Sequence, residues 1–249
     1  MLRETTLKGL NKGFQELPLG TRLARIRSEI DGRIVFTTSF GLEDQAIAHE
    51  IFTAHLAIDV ATLDTGRMFP ETYAVWAETE NCYGRRIAAY YPRHDAVAAM
   101  VARQGINGFY ESVEKRHACC HVRKVEPLSR ALAGAAAWIT GIRAQSSAGR
   151  AAMAFFAFDD AHGLIKSNPL LDWSREQVAA HIASHGIPYN ALHDSGYVSI
   201  GCQPCTRAIA ADEPERAGRW WWEQDWPKEC GLHVAPDGRL VRSLAPTNG

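Results

Sequence analysis

Short apolar runs alternate along this chain with segments of helical spacing, and that alternation restricts the fold more than any other feature. Ile34-Val35-Phe36 reads as a buried strand, with further strands over 57–63, 87–91 and 137–140, then 155–158 and 164–166. Between them, Leu23, Ile26 and Ile30 sit at helical spacing, as do Ile47 and Ile51. Pro70 suits the first turn of a helix, residues 95–104 form another, and Ser174-Arg175-Glu176-Gln177 is a capping box. Strands alternating with helices predict an α/β chain: a parallel sheet covered by helices on both faces, in three layers. Ligands in such folds bind beyond the carboxyl ends of the strands, here at the loops after the first, second and fourth. Neither a repeat nor a linker divides the sequence, so residues 1–249 are expected to form one domain. From Pro188 onward the pattern shifts to glycine, cysteine, arginine and tryptophan, which reads as a C-terminal extension laid over the site.

Composition narrows the partners. An apolar fraction of 46% and a charged fraction of 22% support a buried core. A net charge of -1 provides no overall attraction to nucleic acid or to a membrane, so neither is expected as a partner. No apolar run approaches the ~20 residues needed to cross a bilayer. Met1-Leu2-Arg3-Glu4 leads into polar sequence without a signal-peptide core, and a cytoplasmic location is expected. In that reducing compartment grouped cysteines bind metal or do chemistry rather than pair as disulfides.

Five cysteines are grouped: Cys119-Cys120, Cys202-Gln203-Pro204-Cys205, and Cys230 within Lys228-Glu229-Cys230-Gly231-Leu232-His233. Two pairs suit a metal centre, and the fifth suits a nucleophile whose ionisation Lys228 would favour. Zinc and an iron–sulfur cluster both accept four thiolates. Adjacent Cys119 and Cys120 fit zinc poorly, because neighbouring side chains on a helix diverge by about 100°. Lys124 lies four residues after Cys120, on the same face of a helix, where it would offset the charge of a thiolate-bound centre or reach an anionic ligand. Cys82 reads as a packing cysteine, and Trp220-Trp221-Trp222 as packing for the C-terminal segment.

Three loops could hold an anion. Ser39-Phe40-Gly41-Leu42-Glu43-Asp44 joins a strand to a helix whose amides could bind phosphate or sulfate, although it lacks the lysine and spacing of a Walker A loop. In Leu63-Asp64-Thr65-Gly66-Arg67, Asp64 could accept from ribose hydroxyls or stabilise its own turn. Gly141, Arg143 and Arg150 form the third, and Arg216 and Arg219 add two guanidinium groups suited to bidentate anion binding.

Together these stretches resemble the assimilatory sulfonucleotide reductases, specifically the iron–sulfur, thioredoxin-dependent adenylylsulfate (APS) reductases. The match also includes Met68-Phe69-Pro70-Glu71-Thr72, Arg123-Lys124-Val125-Glu126-Pro127-Leu128, Asn168-Pro169-Leu170, Gly201, Thr206-Arg207, and Gly218-Arg219-Trp220-Trp221-Trp222-Glu223, within about residues 37–234. The resemblance implies a fold like the adenine-nucleotide alpha-hydrolases and a [4Fe-4S] cluster on Cys119, Cys120, Cys202 and Cys205. It implies catalysis by Cys230, on a mobile segment of about 215–249, with help from Lys124. Nucleotide contacts fall to Ser39, Phe40, Gly41, Glu43, Asp44, Leu63, Asp64, Thr65, Gly66, Gly141, Arg143, Arg150, Arg216 and Arg219. The expected reaction converts adenosine 5'-phosphosulfate to sulfite and AMP through a Cys230 S-sulfonate that thioredoxin resolves. A reductase of the 3'-phosphorylated substrate (PAPS), or of both, is the alternative. A homo-oligomer is compatible with the sequence and not specified by it.

Overall fold

The computed structural model describes residues 2–223. Leu2–Asn11 (α1) and Leu19–Glu29 (α2) lead into strand Arg33–Thr38 (β1). Helix Leu42–Thr53 (α3), strand Asp59–Leu63 (β2), helix Pro70–Tyr83 (α4) and strand Ala88–Tyr90 (β3) follow. Pro70 opens α4 in its first turn, as its fixed φ favours. Helix His94–Gln104 (α5) precedes a long interrupted helix made of Val113–Cys120 (α6), a π-helical turn His121–Val125, and Glu126–Ala131 (α7). The chain continues through strands Ala135–Ile139 (β4), Phe156–Asp159 (β5) and Leu164–Ser167 (β6) to helix Arg175–His185 (α8). The expected capping box opens α8: the Ser174 hydroxyl accepts from Gln177 N–H, and Gln177 Oε1 accepts from Ser174 N–H.

The strands form one six-stranded sheet in the order β3-β2-β1-β4-β6-β5. All neighbours run parallel except β5, which pairs antiparallel with β6 from Phe156 to Asp159 at the sheet edge. The alternation of strands and helices predicts a wholly parallel sheet. The hairpin departs from it because only the turn around Gly163, with φ of 68°, separates the two strands, too little chain for a crossover helix.

Both faces of β1 are buried. Ile34 and Phe36 join a large core with α2, α3 and α8, whereas Val35 packs with Leu128, Leu132, Trp138 and Leu164 on the other face. This explains why β1 reads as a continuous apolar run. From β1 the chain builds outward through β2 to β3, then crosses back to place β4 on the other side of β1. The crevice beyond the carboxyl ends of β1 and β4 is therefore the topological switch point, where a ligand is expected. Among the described residues no helix is long and apolar enough to cross a membrane.

Candidate active site: a cleft backed by four cysteines

An open cleft lies at the switch point. Its wall contains Ser39, Gly41, Glu43 and Asp44 after β1, Leu63 and Thr65 at the end of β2, Gly141 and Arg143 after β4, then Arg150, Arg216, Arg219 and Lys124. Most of the expected nucleotide contacts thus converge on one cleft, from all three anticipated loops.

Phe40, Asp64 and Gly66 do not line that cleft. The Phe40 ring is wholly buried and stacks on Trp76 with centroids 5.6 Å apart, while its backbone sits at a φ of 60°. A bulky residue in that region stores strain, and here it turns the chain sharply out of β1. The Asp64 carboxylate is 6% exposed and accepts from Gly66 N–H at 2.8 Å and from Tyr73 O–H at 2.9 Å, so it stabilises its own turn.

The start of α3 is not a bare anion cradle. Asp44 Oδ2 accepts from the Ser39 amide at 2.6 Å and from its hydroxyl at 2.7 Å. Burial dominates these bonds and pushes the Asp44 carboxyl up to about 6. Gly141 approaches so closely that a Cβ there would collide with Asp44 and press on Glu43, which explains the glycine after β4. Arg143, only 1% exposed, donates from Nε to Glu43 at 2.6 Å and from Nη2 to Glu215 at 2.6 Å. The guanidinium expected to meet a ligand lines the cleft and is held there between two carboxylates, with its buried Nη1 finding no acceptor among the described residues. Glu215 gave no sequence signal, because a single acid among alternating charges looks like a solvated residue.

Adjoining the cleft, a second and much smaller cavity is lined by Cys119, Cys120, Cys202 and Cys205. Ser112 caps α6, and the first pair ends it. The second pair is fixed by backbone bonds: Gln203 N–H donates to Arg67 O at 2.8 Å, Cys205 N–H to Cys202 O at 2.9 Å, and Trp220 N–H to Cys205 O at 3.1 Å. Thr65 Oγ1 lies 3.3 Å from Cys202 Sγ. Lys124 follows in the π turn, a wider coil than the helix read from its spacing, and lines both cavities together with Arg219 and Trp220. Such turns recur at functional sites. Gly201 admits Arg219, whose guanidinium occupies the space a Cβ would take.

The cavity wall also carries Arg67, Arg116 and Arg123. Burial pushes the Cys205 thiol up to about 12, with Cys202 adding to the effect and Arg219 and Lys124 opposing it. Burial likewise raises Cys119. Metal-free, these thiols hold their protons, and a metal would have to displace them.

Among the described residues no three His, Cys, Asp or Glu side chains converge to hold a single metal ion. The four thiols are instead spread around one cavity. Three buried N–H groups lining it, Trp220 Nε1, Arg123 Nε and Arg219 Nε, find no acceptor among the described residues. Spread thiols and donors without acceptors fit a larger, anionic, acceptor-rich occupant better than one cation.

Cys82 is exposed, contrary to the packing role expected; it lies on the outer surface near the end of α4. Of the tryptophans, Trp220 is buried at 1% exposure, whereas Trp221 is 49% exposed. The described part of the 215–249 segment is packed against the body through Glu215, Trp220 and Glu223. Cys230 and Lys228 lie outside the described residues.

Comparisons with known proteins bear on the family and the fold. The profile of the phosphoadenosine phosphosulfate reductase domain matches residues 33–208. The adenosine 5'-phosphosulfate reductase of Sinorhizobium fredii is 56% identical over 93% of this chain and 92% of its own. The crystal structure of the phosphoadenylyl-sulfate (PAPS) reductase of Candida auris, a phosphate complex, superposes with a TM-score of 0.69 at 28% identity, covering 81% of this chain and 95% of the other. Yeast FAD synthetase shares the fold alone, with a TM-score of 0.51 at 15% identity over 82% of this chain and 67% of its own.

Proposed function

The chain belongs to the phosphoadenosine phosphosulfate reductase domain family, and from that premise we propose that it reduces adenosine 5'-phosphosulfate to sulfite and AMP in assimilatory sulfate reduction. The observation that carries this reading is the pairing of two cavities: a cleft at the switch point, and four cysteines behind it that share Lys124, Arg219 and Trp220 with its wall.

Cys119, Cys120, Cys202 and Cys205 would hold a [4Fe-4S] cluster. When bound, it supplies a buried, negatively charged core that fixes both cysteine pairs and turns the basic groups around it toward a common centre. The nucleotide occupies the cleft, with its phosphosulfate toward Lys124, Arg216 and Arg219. The thiolate of Cys230 attacks the sulfur of the substrate, forming an S–S bond to the sulfonate as the bond from sulfur to the phosphate oxygen breaks and AMP departs. Thioredoxin then supplies both electrons. One of its thiolates attacks Cys230 Sγ, forms a mixed disulfide and expels sulfite. Its second thiolate resolves that disulfide and returns Cys230 as a thiolate.

The main barrier is repulsion between two anions. Lys124 and the two arginines oppose it with fixed positive charge at the back of a partly enclosed site, where such charge counts for more than in water. A Cys230-bearing segment that can move would meet the nucleotide first and thioredoxin second.

The test is an anaerobic assay for sulfite from adenosine 5'-phosphosulfate with reduced thioredoxin, run in parallel with the 3'-phosphorylated nucleotide. Turnover of the substrate that lacks the 3'-phosphate is expected to dominate. Cys230→Ser should retain iron and bind AMP, yet gain no mass of one SO3 group when incubated with substrate. An adduct on that variant would remove Cys230 from the mechanism.

A further inference from the structure

Arg116 lies on α6, one turn before Cys119 and Cys120, and its side chain is wholly buried. Its guanidinium grips Glu223 with two bonds, Nε to Oε1 at 2.8 Å and Nη2 to Oε2 at 2.9 Å, and the Glu223 side chain is only 3% exposed. Arg116 also hydrogen-bonds the Cys120 thiol and lies over the Trp220 ring, 4.7 Å from its centroid. Arg219 lies 4.7 Å from the same centroid. The Glu223 amide donates to Trp220 O at 2.9 Å. One arginine therefore touches a cysteine of the first pair, the ring beside the second pair, and the residue seven positions before Cys230.

We propose that the Arg116–Glu223 pair is a positioning device for the reaction: it fastens the root of the Cys230 segment to the helix that carries Cys119 and Cys120. The inference rests on the reading of Cys230 as nucleophile. Seven residues reach at most about 25 Å even when fully extended, so a fixed Glu223 confines the Cys230 thiol to a sphere of that radius. Released from this anchor, the chain would next be held at Trp220, whose ring is buried and whose amide donates to Cys205 O, and the span from the last hold to Cys230 would grow from seven residues to ten. Effective concentration falls roughly as the −3/2 power of that length, about 1.7-fold here, and loss of a fixed exit direction adds to it. A buried, two-bond ion pair is a costly way to hold a surface turn, because both partners must be desolvated. Its placement at the root of the reactive segment gives that cost a purpose.

The experiment compares the anaerobic holoenzyme with Glu223→Gln and Glu223→Asp. Glu223 lines neither cavity, so iron content and AMP affinity are expected at wild-type values. The single-turnover rate of Cys230 S-sulfonate formation at saturating substrate should fall at least about 1.7-fold in Glu223→Gln, with part recovered in Glu223→Asp. Hydrogen exchange over 220–223 should accelerate in Glu223→Gln while exchange over α6 does not. Adduct formation at the wild-type rate would overturn the proposal, as would loss of iron in step with the rate, which would make the pair a prop of the metal centre. In the wild-type holoenzyme the same amides should be protected to the level of α6, and exchange as fast as free chain would overturn it without any variant. An adduct on Cys230→Ser would instead strike the assignment of the nucleophile, leaving the exchange result to judge the anchor separately.

Discussion

Asp44 carries opposed influences: two bonds from Ser39 favour its ionised form, and burial, the larger effect, disfavours it. Its folded value of about 6 lies above the unfolded carboxylate range near 4, so the folded state holds the proton more tightly. The stability this group contributes is therefore complete below about pH 4 and is lost as pH rises through about 6. Asp44→Asn should flatten that limb, and its urea midpoint should change less between pH 4 and 7 than that of the wild type, by the equivalent of roughly 2–3 kcal/mol. Lys124 makes a second test at this scale. Lys124→Ala should lose most sulfite-forming turnover while iron content stays at the wild-type level, and unchanged turnover would remove it from the mechanism. Legibility at this scale followed chemistry. Cysteines announce themselves by type and spacing, so both pairs could be read directly. The partners that reach Asp64 and Arg143 from elsewhere in the fold, Tyr73 and Glu215, could not, because they are set by packing and not by local sequence.

Elements with a strong local signature were the most legible. β1 is a fully buried apolar run, Pro70 marks the start of α4, and the capping box of α8 forms as spaced. Ser174→Ala removes the acceptor for Gln177 N–H and should cost about 1 kcal/mol in chemical unfolding, with substrate turnover unchanged. The interrupted helix was not legible. Nothing in His121-Val122-Arg123-Lys124-Val125 distinguishes a π turn from an α turn by periodicity, since one extra residue per turn is absorbed without a proline or glycine. The antiparallel hairpin of β5 and β6 was equally hidden, because strand direction depends on the connection between two strands and not on either strand's composition.

At the scale of the whole molecule, the cleft and the cysteine cavity are not independent compartments. Lys124, Arg219 and Trp220 face both, and the turn holding Cys202 and Cys205 is bonded to Arg67 in the loop after β2. Chelating the iron of the proposed cluster under reducing conditions should therefore weaken AMP binding, measured by calorimetry against the untreated protein. Equal affinity would show that the two cavities do not communicate. The sequence located this neighbourhood through the α/β alternation, which fixes the switch point. It did not reveal the shared wall, which exists only once residues from 65, 120, 205 and 220 meet in space. The π turn has a consequence for how such a chain can vary. Excising His121 alone would keep Lys124 and both cysteine pairs in the sequence yet replace the π turn by an ordinary α turn, drawing Lys124 one residue nearer to Cys120 along the chain. Such a protein would possess the full catalytic inventory with the ammonium moved off the wall shared by the two cavities, so a one-residue gap between 121 and 125 should be less tolerable than most substitutions there.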